Sequence, residues 1–291
     1  LESNEKSRPL TIRCNTLKCR RRDLAKLLID RGINLDPLSV WSKEGLKINN
    51  TNNKPIGATP EYLSGYYMIQ SAASLLPVLA INNWKGKILD MCCAPGGKTT
   101  FIAQQLKDND DSSVIVANDI NKDRLKAVYG NTHRMSLAKN CIVTNIDGRK
   151  LKTNFGENVF DYILLDAPCS CLGIISRDSS IKYSKTFNDV IKQSQLQKEL
   201  ILEAIDLCKV GGYIVYSTCS ITVYENEGVV DHALNKRFVK VMDTGLKFGE
   251  NGFTRFKDMR FDKSLSKTKR YYPHIHNLDG FYIAKLYKCD E

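Results

Sequence analysis

Between Lys85 and Ser220 short apolar runs alternate with amphipathic stretches, and this alternation leaves few folds open to the chain. Strands are predicted at Ile88–Cys92, Val114–Asp119, Cys141–Asn145, Tyr162–Leu165 and Tyr213–Thr218, with helices over about 98–107, 122–137, 187–208 and 224–235. Such a repeat builds a mostly parallel, doubly wound α/β sheet. Phe238–Thr244 and Gly280–Lys288 read as two further strands, paired antiparallel at its edge across a charged loop, Glu250–Lys269. No internal repeat or low-complexity tract interrupts the pattern.

In an open parallel sheet, ligands bind beyond the carboxyl ends of the strands. The first strand runs into ILDMCCAPGGKTT, a turn on Pro95-Gly96-Gly97 that enters a helix at Lys98. Glycines there let a ligand approach the backbone, and the helix start offers free N–H groups. Neither GxxxxGK[ST] nor GxGxxG is present, which disfavours a triphosphate or a dinucleotide. The next strand ends in Asp119, about 20 residues on, where an acid accepts ribose hydroxyls. Asp147 follows the third strand, placed to hold an adenine amino group, and Asp166 ends the fourth. A Gly turn and three strand-end acids together suggest an adenosyl ligand without phosphates, S-adenosyl-L-methionine.

Asp161–Cys171, DYILLDAPCSC, is a buried strand that ends in a carboxylate and a thiol, Cys169. Gly211–Ser220, GGYIVYSTCS, places Cys219 at the end of the neighbouring strand. Two thiols then face one cleft, and either is a candidate nucleophile. This suits cytosine C5, which is unreactive until a thiolate adds to C6. Asp166 would stabilise that adduct through N3 or the amino group, and the base would be presented unstacked.

The net charge is +11, and its placement is informative. Residues 1–60 hold 12 Lys and Arg against 6 Asp and Glu, and residues 236–291 hold 13 against 7, so the centre is close to neutral. Basic flanks suit a polyanion gripped on either side of the reaction. At the N-terminus, Leu10–Thr16 has strand character. Arg20, Arg21 and Arg22 open an amphipathic helix carrying Leu24, Leu27 and Leu28, and Gly32 stops it. Asn34–Ile48 reads as two short strands. The expected organisation is a small α+β subdomain over 1–64 whose basic face, Arg20–Arg22 included, suits a polyanion, and a catalytic domain over 65–291. An apolar helix is predicted within Pro60–Ala80, with Gln70 satisfying a backbone group. Leu1 reads as a domain boundary with more chain before it.

Ten cysteines without a paired CxxC set and His disfavour a structural zinc site, and no secretory signal argues for disulfides. A reduced, intracellular setting is expected. No apolar run approaches the roughly 18 residues of a membrane span, so no membrane partner is expected.

At LDMCCAPGGKT, NDINKDR, LLDAPCS, YSTCS and RYYPHIHNLDGFYIAKL the chain resembles the RsmB/NOP/SUN family of RNA 5-methylcytosine methyltransferases, over about Thr11 to Lys288. IGATPEYLSGYYMIQSAASLLP and KRYYPH are most similar to its nucleolar NOP branch, which acts on large-subunit ribosomal RNA and aids assembly of that subunit. The resemblance implies a Rossmann-like class I methyltransferase fold, S-adenosyl-L-methionine as cofactor, ribosomal RNA and assembly proteins as partners, a monomer, and a nucleolar location in the nucleus. It implies Cys219 as nucleophile and Cys169 as the thiol that assists release. Cys92, Cys93, Ala94, Pro95, Gly96, Gly97 and Lys98 then contact the cofactor, with Asp119, Arg124, Asp147 and Asp166, and Lys98 and Asp166 face the target base. A scaffold whose catalysis is dispensable is the competing reading, and DNA cytosine methylation a weak third. Two residues depart from the family pattern. Cys93 replaces a small Ala, and Cys171 stands where Gly is usual. If that position needs positive φ, Cys costs of order 1 kcal/mol there and adds a third thiol to the site.

Overall fold

The computed structural model describes residues 2–109 and 112–290. Its first unit is a four-stranded antiparallel sheet of β1 (Leu10–Cys14), β2 (Asn34–Ser39), β3 (Ser42–Asn50) and β4 (Tyr67–Ile69), in the order β2-β3-β1-β4. The helix Arg21–Asp30 buries Leu24 and Leu28 against Ile12, Ile33, Leu46 and Ile48.

The large sheet has nine strands. Five are parallel: β5 (Lys87–Asp90), β6 (Val114–Asn118), β7 (Cys141–Thr144), β8 (Phe160–Asp166) and β9 (Cys208–Thr218). β10 (Val239–Met242) and β11 (Glu250–Asn251) follow, and β12 (Arg255–Phe256) and β13 (Met259–Arg260) form a separate small hairpin. β14 (Lys269–Tyr271) and β15 (Phe281–Lys288) complete the chain. The order is β11-β14-β15-β9-β8-β5-β6-β7, with β10 also pairing with β15. β15 lies antiparallel to both β9 and β10, as the sequence predicts for the edge.

Alternation along the central strands feeds two apolar layers. On one face Ile163, Leu165, Ile214 and Tyr216 pack with Leu200, Ile201 and Ala204 of helix Phe187–Leu207 and with Val229 and Val230 of helix Glu227–Leu234. On the other, Leu164, Val215 and Ile283 pack with Phe101, Ile102 and Leu106 of helix Gly97–Asn109. Helix Lys122–Arg134 completes the β6–β7 crossover, its start capped by the Asn121 side chain. The result is a class I methyltransferase fold with an antiparallel edge.

Residues 60–80 do not form the single helix predicted. A short helix, Pro60–Leu63, is followed by strand β4, and only Ala73–Leu79 is helical again. Gly65 breaks the run: at φ +76 it is left-handed, and a Cβ there would meet the Arg134 carbonyl oxygen at 2.0 Å. β4 then finds its hydrogen-bonding partner in β1, far away in sequence. The first unit's sheet thus reaches past residue 64. The stretch expected as a loop, residues 250–269, holds β11 to β13 and a 3-10 turn at Lys263–Lys267.

Buried Arg13 joins the two units. Its guanidinium donates to the Gln70 side chain at 2.5 Å, to the Gly97 carbonyl at 2.6 Å and to Thr100 Oγ1 at 2.8 Å. Gln70 therefore serves a side-chain role as well as donating to the Ser74 carbonyl at 3.2 Å.

Candidate active site

The carboxyl ends of β5, β6, β8 and β9 surround a cleft of about 680 Å³. Cys92, Ala94, Asp119, Arg124, Asp147, Asp166, Cys169, Cys171 and Cys219 all line it. A second cavity of about 210 Å³ lies against the Gly turn, lined by Gln70, Asp90, Cys93, Pro95, Gly97, Lys98 and Asp166 among others. Asp166 belongs to both. Gly96 holds the turn: its φ is +97, and its N–H donates to the Cys93 carbonyl at 2.7 Å.

The acids differ in what they are free to do. Asp119 accepts from the Ala94 N–H at 3.1 Å and the Asn121 N–H at 2.9 Å, with Arg124 3.8 Å from one oxygen. Arg124 also donates to the Ala94 carbonyl at 2.7 Å, so it ties the turn to the second strand. Asp147 caps the turn at Gly148–Lys150 and pairs with Arg149 at 2.7 Å, which holds its carboxyl below the usual range. Asp166 accepts from Lys98 Nζ at 2.6 Å on one oxygen and from Ser217 Oγ at 2.6 Å on the other. Cys93 turns away from the cleft and packs with Ala117, Leu125 and Val128.

β8 and β9 are in register with Asp166 opposite Ser217, so the loops that follow them meet. Cys169 Sγ lies 3.2 Å from Cys219 Sγ, and Cys219 Sγ 3.6 Å from Cys171 Sγ. Cys171 has φ +63, the left-handed conformation that suits the glycine usual there, and its thiol joins the other two. Hydrogen bonds from Cys169 and Cys219 pull the Cys171 thiol down, aided by Lys185 and Arg124, while Cys219, lowered by Cys169 but raised more by Cys171 and by burial, is pushed up. Hydrogen bonding to Cys171 and Cys219, with burial, pushes Cys169 well up. The three titrate as one unit, in which a first thiolate is stabilised by its neighbours and a second is opposed.

Sequence reasoning missed the group that holds these loops. Glu225, wholly buried, accepts from the Ser170 N–H at 2.7 Å, Ser170 Oγ at 2.6 Å, Ser220 Oγ at 2.5 Å and Thr222 Oγ1 at 3.0 Å. Gln197 adds a bond at 3.2 Å and also donates to the Pro168 carbonyl at 2.8 Å. No spacing in the sequence marks either residue. Asp90, which the sequence reading passed over because it carried the first strand on to Cys92, ends β5. It is fully buried, accepts from Thr99 Oγ1 at 2.6 Å, and burial pushes it up to about 7.

Arg20, Arg21 and Arg22 are not brought to this cleft. They sit at the start of the first unit's helix, and Arg21 donates to the Ser42 carbonyl at 2.9 Å. No helix among the described residues is long and apolar enough to cross a membrane.

The site residues fit an adenosyl group bearing a charged sulfonium. Strand-end carboxylates border the cleft at Asp119, Asp147 and Asp166. The first-turn N–H groups of helix Gly97–Asn109 have no partner within the helix.

The family model for 16S rRNA methyltransferase RsmB/F matches residues 77–287. The chain is 56% identical over 293 residues to a 28S rRNA (cytosine-C(5))-methyltransferase of Mus musculus, covering 99% of this chain and 36% of that protein. It spans roughly a third to a half of the eukaryotic relatives it matches, 35% of one from Homo sapiens and 48% of one from Schizosaccharomyces pombe. A methyltransferase homologue from Pyrococcus horikoshii superposes with TM-score 0.85 at 35% identity, covering 99% of this chain and 88% of that one. NSun6 from the same organism, solved with SFG, gives 0.84 at 25% identity, with 100% and 93% covered. The strand-end thiols, the Gly turn and these matches agree: the chain belongs to the RsmB/F family of rRNA methyltransferases.

Proposed function

We propose that this chain transfers a methyl group from S-adenosyl-L-methionine to C5 of a cytosine in large-subunit ribosomal RNA, through a covalent bond between Cys219 and C6. The observation that carries this is the pair of thiols 3.2 Å apart on adjacent strand ends, opening on a cleft bordered by acids. The relatives named for 28S and 25S ribosomal RNA support the substrate class.

Cys219, when it carries the one thiolate the cluster favours, adds to C6, and the electron pair of the C5–C6 double bond becomes available at C5. Bound cofactor supplies the electrophilic methyl. Asp119 and Asp147 are placed to hold its ribose and adenine, with the Cys92–Lys98 turn and Arg124 beside them. Asp166, placed by Lys98 and Ser217, accepts from the amino group of the base or, as the carboxylic acid, passes its proton to N3, which offsets the negative charge that builds up on the ring. Transfer of the C5 proton to a base restores the double bond and expels Cys219 as thiolate, and Cys169, 3.2 Å away, is near enough to assist that step. Residues 1–64, extended through β4, form the RNA-binding unit, with Arg20–Arg22 as outlying contacts. The setting that follows is nucleolar, with the chain acting as a monomer on pre-ribosomes beside assembly proteins.

The test is adduct trapping. Cys169→Ala is expected to accumulate RNA–protein adducts that survive denaturation, and Cys169→Ala combined with Cys219→Ala to form none. Adducts that persist in the double variant would remove Cys219 as nucleophile.

A further inference from the structure

Cys171 has no part in the transfer just described, yet its thiol completes a cluster. Among the described residues, Cys169, Cys171 and Cys219 are the one group of three whose ligand atoms lie within 4.8 Å of one another. Three sulfurs bound to one zinc ion at about 2.3 Å stand about 3.8 Å apart. The sulfurs here are already 3.2 and 3.6 Å apart on two of the edges. We propose that these three cysteines form a binding site for one thiophilic d10 cation, Zn²⁺, seated beyond the ends of β8 and β9.

Three features support the site. The loops are fixed before any ion arrives, because Ser170 and Ser220, each next to a ligand, share the buried Glu225 carboxylate. The third thiol is presented by a left-handed backbone conformation that non-glycine residues seldom adopt, φ +63 at Cys171. The ligands are all sulfur, which selects zinc or copper(I) over magnesium or calcium. Three protein ligands leave a fourth position for water from the cleft, so the ion is exchangeable rather than enclosed. The other close pair, Cys14 and Cys19 at 3.7 Å, offers only two sulfurs.

Binding forms three S–Zn bonds. Each thiol still protonated releases its proton to solvent, and no electron is transferred. The lone pair Cys219 would direct at C6 is then held by the metal. If the transfer reading holds, zinc and the cytosine compete for Cys219, and zinc inhibits methylation.

The test uses the full chain, kept reduced by a phosphine, and does not depend on methylation. Co²⁺ is titrated in, followed by thiolate-to-cobalt absorption, then displaced by Zn²⁺. One equivalent per chain is expected, with affinity lowered more than about 100-fold in Cys171→Gly, beyond what loss of a mere outer partner produces. Glycine is at home at φ +63, so the variant folds, and a thermal melt confirms it. Cys19→Ser should bind as the parent does. Absence of the absorption in the parent, its survival in Cys171→Gly, or its loss in Cys19→Ser would each overturn the site.

Discussion

Ser170 donates both its backbone N–H, at 2.7 Å, and its hydroxyl, at 2.6 Å, to the buried carboxylate of Glu225. Ser220 reaches the same group from the other cysteine loop. One side chain on the segment after β9 thereby sets the spacing of Cys169 and Cys219, which Ser170 and Ser220 follow in sequence. Replacing Glu225 with Ala strands several buried donors at once. The expected loss is at least that of one stranded buried donor, about 1–3 kcal/mol, read as a lower urea midpoint, with Glu225→Gln losing less because it keeps the shape and one acceptor. A Glu225→Ala midpoint equal to the parent's would show that the loops are held by something else.

Asp90 gives the fold a pH dependence. Burial raises it from its ordinary 3.8 to about 7, with Asp166 and Asp119 adding to the shift against Thr99 and Lys98. The native state therefore holds this proton more tightly than the unfolded chain does. The stability it contributes is complete below about pH 4 and is lost as the pH climbs through 7. Between pH 5 and 8 the parent should lose stability relative to Asp90→Asn, by about 3 kcal/mol at most. Urea unfolding of both proteins at the two pH values measures this, and parallel pH dependences would count against a protonated native Asp90. Comparing slopes removes any constant cost of the amide beside the second carboxylate oxygen, which has no partner.

The parallel sheet was legible because its central strands are buried on both faces and read as apolar runs, and β5, β6 and β8 each end at or next to an Asp. Asp119, Asp166, Cys169 and Cys219 followed from that, since the end of a buried strand is a known place in the fold. Residues 60–80 were misread because β4 spans only Tyr67–Ile69, and its strand character comes from pairing with distant β1 rather than from its own pattern. Glu225 and Gln197 were invisible for a related reason: each is defined by the loops it binds, not by periodicity. The sequence did flag Cys171 as a departure from glycine, and the left-handed backbone there shows why glycine suits that position.

Lys98 and Asp166 are joined at 2.6 Å across the floor shared by the two cavities. Ser217 holds the second oxygen of Asp166, so the carboxylate keeps its orientation without Lys98. The two substitutions should therefore differ. Asp166→Asn removes the carboxyl that can pass a proton to N3 as negative charge builds on the ring, and kcat for methyl transfer should fall about 10²–10³-fold, the scale of losing one preorganised electrostatic contact. Lys98→Met leaves that carboxyl in place and should cost less in kcat, with more of its effect in KM for RNA or cofactor. Steady-state methylation of an RNA fragment, read as incorporated labelled methyl, separates the two. An Asp166→Asn enzyme with the parent's kcat would take the base-reading role away from this carboxylate.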